Sequence, residues 1–344
     1  MAKSDLYKAA GVDIDLATNL LSKVKADLAS TRRPEMLAPI GGFGGLFQMD
    51  LSKYKEPVLV SSIDGVGTKL MVAAAMEKYD TVGCDIVNHC INDISVQGAE
   101  PVYFMDYIGI GKLRSPLYEQ ILGGIAKACK AANCAVLGGE TAEMPGMYGD
   151  DFDLVGVITG IVEKKKIITG EKIRPGHVAI GIASNGLHTN GFSLARKILF
   201  GDGKYTVNSV VDSLGESIGE ALIKPHVCYY SAIREAMNRD FPLDGVAHIT
   251  GGGLYDNVPR ILPQDVSVIF RPAALPVPPI FDLLVKEGSV SHEEAYRVFN
   301  MGVGMVWFVP ADAEKEALEI IRSAGFVAEN IGEVVSGNRE VQVL

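Results

Sequence analysis

The run Ser61-Ser62-Ile63-Asp64-Gly65-Val66-Gly67-Thr68-Lys69 sets a carboxylate, two glycines and a lysine between an apolar stretch that reads as a strand and the first turn of a helix. At such a junction the free backbone N–H groups of the helix start point outward and favour an anion. The spacing is not that of a Walker loop, and Leu70 stands where a dinucleotide fingerprint needs its third glycine. What sets the loop apart is Asp64. A bare carboxylate repels phosphate, whereas one that carries Mg²⁺ bridges to it. Alone, the loop can also be read as a plain Asp-Gly turn.

A second group follows on the next helix. At about 100° per residue, Asp85, Asn88, His89, Asn92 and Asp93 share one arc, while Ile86, Val87, Cys90, Ile91 and Ile94 fill the other. A solvent face usually carries Lys and Glu. Short Asp, Asn and His position better than they reach, which suits metal and phosphate work, although a solvated face with a capping histidine fits the same pattern. A third group is Gly138-Gly139-Glu140-Thr141, where a short apolar strand runs into two glycines and a carboxylate. Asp64, Asp93 and Glu140 together offer the hard oxygen ligands that Mg²⁺ prefers. Glu143 reads as a surface residue.

The second half of the chain offers two further loops. Ser184-Asn185-Gly186-Leu187-His188-Thr189-Asn190-Gly191 opens a helix, and His188 there is either a phosphate donor, an acid/base or a structural cap. His248-Ile249-Thr250-Gly251-Gly252-Gly253 offers a backbone nest for phosphate, or a flexible turn. The residues alone thus describe Mg²⁺-nucleotide binding in the first half, a second phosphorylated ligand near the second half, and phosphoryl transfer between them.

These loops need a scaffold. Helices are expected over 13–28, 69–78, 80–97 and 115–132, with strands over 57–63, 102–110, 135–137 and 154–162. The polar stretch 164–176 reads as a boundary, giving domains 1–168 and 169–344. Beyond it, strands are expected at 178–183, 266–270 and 304–309 with one more at the end, and helices at 192–200, 214–222, 226–239, 276–287, 291–298 and 312–324. The mixed order is that of an α+β chain rather than of strict βαβ alternation.

Composition narrows the class. Glycine makes up 38 of 344 residues, well above the usual share of about 7%, in a chain that is 48% hydrophobic. The excess therefore belongs to turns and to loops where backbone lies close to a ligand. A net charge of −10 argues against nucleic acid. No apolar run approaches the roughly 18 residues of a membrane span, and the start of the chain, with Asp5 and Asp13, lacks a signal-peptide core, so a cytoplasmic protein is expected. The five cysteines form no zinc spacing and read as buried thiols.

Taken together, GGFGGLF (41–47), SSIDGVGTKL (61–70), HCINDISVQGAEPVYFMDY (89–107), GGETAEMPGMY (138–148), SNGLHTNGFSLAR (184–196) and HITGGGLYDNVPRILP (248–263) resemble the phosphoribosylformylglycinamidine cyclo-ligase family, the aminoimidazole ribonucleotide synthetases of purine biosynthesis. The resemblance runs over nearly the whole chain. It implies two mixed α/β domains, with the N-terminal one dimerising through its sheet into a homodimer and ATP near that interface. It implies that ATP phosphorylates the formyl oxygen of formylglycinamidine ribonucleotide, that a substrate nitrogen closes the ring, and that phosphate leaves. By the same resemblance Asp64, Asp93 and Glu140 hold Mg²⁺. Gly65, Gly67, Thr68, Lys69, Asn92, Gly138, Gly139 and Thr141 face ATP. Gly42 and Gly44, Thr189 and Asn190, and Gly251, Gly252 and Gly253 face the substrate, and His188 and His248 are the catalytic pair. A small-molecule kinase of the same superfamily, or a nucleotide sensor without catalysis, accounts for the first-half loops alone.

Overall fold

The computed structural model describes residues 8–344; Asp5, on which part of the reading of the N-terminus rests, lies outside them. The first half holds α1 (Ile14–Ala29), β1 (Pro57–Gly65), α2 (Lys69–Met76), α3 (Asp80–Ser95), β2 (Glu100–Ile110), α4 (Leu117–Ala131), β3 (Ala135–Glu143) and β4 (Phe152–Glu163). Its four strands lie in the order β1-β4-β2-β3. Only β2 and β3 are parallel, because α4 forms the crossover that a parallel pair requires. Helices α3 and α4 cover one face and cross at two glycines. A methyl group on Gly83 would lie 2.1 Å from the Ile121 carbonyl oxygen, and one on Gly124 would lie 2.3 Å from that of Asp80. On the other face Ile63, Val157 and Met105 form one exposed apolar row across β1, β4 and β2.

The second half holds β5 (His177–Ala183), α5 (Phe192–Phe200), α6 (Ile218–Ile223), α7 (Tyr230–Asn238), β6 (Gly245–His248), α8 (Gly253–Asn257), β7 (Val266–Phe270), α9 (Pro279–Gly288), α10 (His292–Val298), β8 (Val303–Pro310), α11 (Glu314–Ser323), β9 (Ala328–Ser336) and β10 (Val341–Val343). Six strands run in the order β10-β7-β9-β5-β8-β6, with Trp307 and Phe308 of β8 fully buried. The mixed, largely antiparallel sheets are those of the α+β class.

Several local expectations need correction. Strand β3 continues through Gly138 and Gly139 to Glu143 instead of ending at the glycines. Strand β6 was not anticipated, and the last strand is two, β9 and β10. The helix expected over 226–239 begins only at Tyr230. Pro225 cannot donate an N–H, and the backbone around it is satisfied by side chains of the first half: the His226 N–H donates to Asp85, and the His226 and Val227 carbonyls accept from Asn88 and Asn92. Glu143 is also not a free surface residue. Its carboxylate accepts the Asp13 and Leu113 N–H groups and pins the start of α1 to the domain.

Candidate active site

The polar arc of α3 is neither a solvent face nor an open metal face along its length. Asp85, His89 and Asn92 are buried against the second half of the chain. Asn92 grips that half twice, donating to the Val227 carbonyl and accepting the Tyr229 N–H at 2.9 Å. At the base of the seam, Lys69 and Asp85 form an ion pair at 2.7 Å with both side chains fully buried. Burial pulls the Lys69 ammonium down from its ordinary value and pushes the Asp85 carboxyl up, and each charge opposes the other's shift. Lys69 also donates to the Lys224 carbonyl at 2.7 Å, so its ammonium points into the seam. Thr68, one residue earlier, bonds Ser193 at the start of α5 at 3.0 Å. Gly67 takes φ +69, a conformation that side chains resist, and this turns β1 into α2.

Further along α3 the two halves meet in a histidine cluster. His89 Nε2 lies 2.8 Å from Asp64 and 3.7 Å from Asp93. His89 Nδ1 lies 2.8 Å from the Thr189 hydroxyl, which is 3.3 Å from His226 Nδ1. His226 Nε2 is 2.9 Å from His248 Nε2, and His248 Nδ1 is 2.9 Å from Asp93. Counting donors fixes the protons along this chain. Ionised Asp93 only accepts, so His248 carries its proton on Nδ1 and accepts at Nε2. His226 must then donate from Nε2 and accept the Thr189 hydroxyl at Nδ1. Thr189 in turn accepts from His89, whose other nitrogen donates to Asp64, so His89 is an imidazolium.

The pKa directions agree with this assignment. Burial opposes the charge on His89, but the bond to Asp64 and the nearby carboxylates lift it above the ordinary histidine value. Burial opposes ionisation of Asp64 and Asp93 as well, yet their histidine partners hold both below the usual carboxylate range. Burial lowers His226, His248 and His188 and so favours the neutral form of each, His226 and His188 most strongly, since the Asp93 carboxylate works the other way on His248.

A stability profile follows. Below about pH 6.5 the unfolded chain protonates His188 and His226 while the folded chain resists it, which costs up to roughly 1.4 kcal/mol per pH unit for each, and His248 adds a smaller share of the same sign. The His89 contribution has the other sign: it is complete below about 6.5 and is lost as pH rises through its raised value. The urea midpoint is therefore expected to fall from pH 6.5 to 5.5. A midpoint that holds steady over that range would show that the cluster protonates without unfolding.

His248, Asp64, His89 and Asp93 line a cavity of about 500 Å³, together with Ser62, Thr250, Asn257 and Arg260. Asn257 shapes its far wall by donating to the carbonyls of Thr250, Gly251 and Gly253. Gly253, at φ +57, has no room for a side chain, since a methyl there would sit 1.9 Å from the Tyr296 carbonyl oxygen. Asn190 lies against Gly251, its Oδ1 3.3 Å from where a Cβ there would stand. His188 is set back from the cavity. It takes φ +61, stacks on His226 with ring centroids 4.1 Å apart, and among the described residues has no hydrogen-bond partner at either ring nitrogen. The sequence reading missed His226, Asn257 and Arg260. The proline before His226 and the position of Arg260 just past the glycine nest were the available signals.

Glu140 does not join Asp64 and Asp93 within one chain. Asp64, Gly156, Asp106 and Gly139 form one row across the sheet, which puts β3 three strands from β1, or roughly 14 Å. By the alternation of the strand, Glu140 leaves the opposite face from Asp64. Gly42, Gly44, Gly138, Gly139 and Thr141 instead line a separate cavity of about 270 Å³ beyond the β3 edge. Between the two cavities stand Phe104 and Ile86; a side chain on Gly156 would strike both.

Two sheets of this kind, joined along a seam of Asp, Asn and His, define a class. The description "AIR synthase related protein, N-terminal domain" matches residues 50–162, and "AIR synthase related protein, C-terminal domain" matches 174–344. The chain is 47% identical over 337 residues to a phosphoribosylformylglycinamidine cyclo-ligase of Desulfatibacillum aliphaticivorans, covering 98% of this chain and 97% of the relative. It is 48% identical over 342 residues to the protein of that name in Syntrophotalea carbinolica, with coverage of 98% and 97%. The chain belongs to the phosphoribosylformylglycinamidine cyclo-ligase family. Its fold is shared by the hydrogenase maturation protein HypE, solved in complex with ATP, at a TM-score of 0.66 and 17% identity over 95% of this chain and 90% of that one. Among the described residues no helix is long and apolar enough to cross a membrane.

Proposed function

We propose that the chain is an ATP-dependent ligase that closes formylglycinamidine ribonucleotide to 5-aminoimidazole ribonucleotide, with release of ADP and phosphate through an iminophosphate. The observation that carries this reading is the near-full-length identity to relatives of that name, which a kinase or a sensor sharing only the first-half loops does not account for. The chemistry asks the protein for charge neutralisation and alignment, because an amide oxygen leaves only once it is phosphorylated.

Asp64 and Asp93 suit Mg²⁺, which commonly takes one or two carboxylates and leaves its remaining positions to water and phosphate. When bound, the ion would neutralise charge on the transferring phosphoryl group. His248, which lines the cavity, is assigned proton transfer in preference to His188 behind it. Residues 1–168 would carry the nucleotide side and residues 169–344 the substrate side. A homodimer would cover the bare apolar row of the first sheet, and Glu140, on that outward face, would act across such an interface.

The test is incubation with formylglycinamidine ribonucleotide and Mg²⁺-ATP, followed for an aminoimidazole product; ADP release without ring closure would favour a kinase. Arg260 supplies a cation on the cavity wall beside the glycine nest. Arg260→Met is expected to raise KM for the ribonucleotide by roughly 10-fold or more while leaving KM for ATP within about 2-fold. Equal changes in both would remove Arg260 from the substrate side.

A further inference from the structure

The cavity of about 270 Å³ beyond the β3 edge contains a group that neither the fold nor the cluster around His248 uses. The Asp106 carboxyl is 8% exposed; among the described residues it has no ion pair, and its only hydrogen-bonding contact is to its own backbone N–H. Burial pushes it up to about 7. The neighbouring strand makes room for it, since a methyl on Gly139 would lie 2.4 Å from Asp106 Oδ1. This crowding accounts for a glycine in mid-strand. Around the carboxyl the wall is apolar at Leu122 and Leu137 and hydroxylic at Thr141 and Tyr118, which bond each other. The segment 41–45 lines the same space, and Gly45 sits so close that a side chain there would strike Leu137 at 2.3 Å.

A buried carboxyl without a partner costs folding free energy and is retained where a ligand supplies the missing donors. The group that matches it is an amidine edge, N–C–N. A neutral carboxyl donates to the unprotonated nitrogen and accepts from the N–H; a carboxylate accepts from both nitrogens of the charged form. We propose that Asp106 recognises the amidine edge of a ligand whose flat body lies between Leu122, Leu137 and the glycine segment 41–45. The inference rests on the function proposed above, which supplies two such edges: the N1–C6–N6 side of adenine in ATP and the open amidine of formylglycinamidine ribonucleotide.

Calorimetric titration of the full chain separates them. Asp106→Leu is expected to lose at least about 10-fold in affinity for one of the two ligands and to keep the other within about 3-fold. Asp106→Asn, whose amide both donates and accepts, should stay within about 3-fold for Mg²⁺-ATP if adenine is the source, whereas a charged amidine, which needs two acceptors, should lose affinity as in the leucine variant. If adenine is the source, Asp106→Leu loses affinity for Mg²⁺-ATP and keeps that for the ribonucleotide. If the substrate is the source, only its affinity falls. Removing an unpaired carboxyl should leave the melting temperature equal or higher, and a lower one would assign Asp106 to the fold and overturn the proposal. Should leucine fail to fold, Asp106→Ala carries the same binding expectations. Unaltered affinity for both ligands also overturns it, and does so independently of the function if the wild type still forms an aminoimidazole product.

Discussion

Asp64→Asn is expected to lower turnover by at least about 10²-fold at saturating ATP and to raise the Mg²⁺ concentration needed for half-maximal rate. Asparagine keeps the size of the side chain and can still accept from His89 Nε2. What it removes is charge. Asp64 is held below the usual carboxylate range by His89 in spite of burial, so it is ionised at neutral pH and available to a cation. Its loss also leaves Asp93, 3.7 Å away, as the nearest counter-charge to His89. The side chain is 39% exposed at the cavity wall, so the melting temperature should move by no more than a few degrees. Kinetics across a Mg²⁺ series, with a melt as control, check the expectation. Near-wild-type turnover at limiting Mg²⁺ would remove Asp64 from metal binding.

The parts of this site that were legible in the sequence are those set by local chemistry. A strand running into Asp64 and two glycines, and the 100° spacing of Asp85, His89, Asn92 and Asp93, both survive in the structure because each depends on neighbours along the chain. The arc's surroundings were not legible. Periodicity marks a polar face, but whether that face meets water or a second domain depends on where residues 224–229 fold back. Strand order was hidden for the same reason. Asp64, Asp93 and Glu140 read as one ligand set, yet nothing in their spacing announces that β3 lies at the far edge of the sheet. The glycine pair 138–139 misled in another way. Glycine is a fair sign of a turn, but here it relieves crowding inside a strand, beside a carboxyl whose importance only the ladder reveals.

Lys69→Met is expected to cost about 3–5 kcal/mol of stability, because it strands the Asp85 carboxylate in the seam without its counter-charge. At about 2–4 °C per kcal/mol the melting temperature should fall by roughly 6–20 °C. Adding Asp85→Asn should recover most of that loss. The asparagine oxygen can still accept the His226 N–H, which Asp85 takes at 2.6 Å, and no buried charge is then left alone. The two variants also decide between two roles for Lys69. The family resemblance puts this lysine in the nucleotide loop, whereas here its ammonium serves Asp85 and the Lys224 carbonyl. A phosphate ligand would lose ATP affinity in both the single and the double variant, with little change in melting. A seam residue would lose stability in the single variant and regain it in the double, with KM for ATP following the recovery. The second pattern is expected, because bringing the ammonium to phosphate would break its pair with Asp85 and leave that carboxylate buried alone.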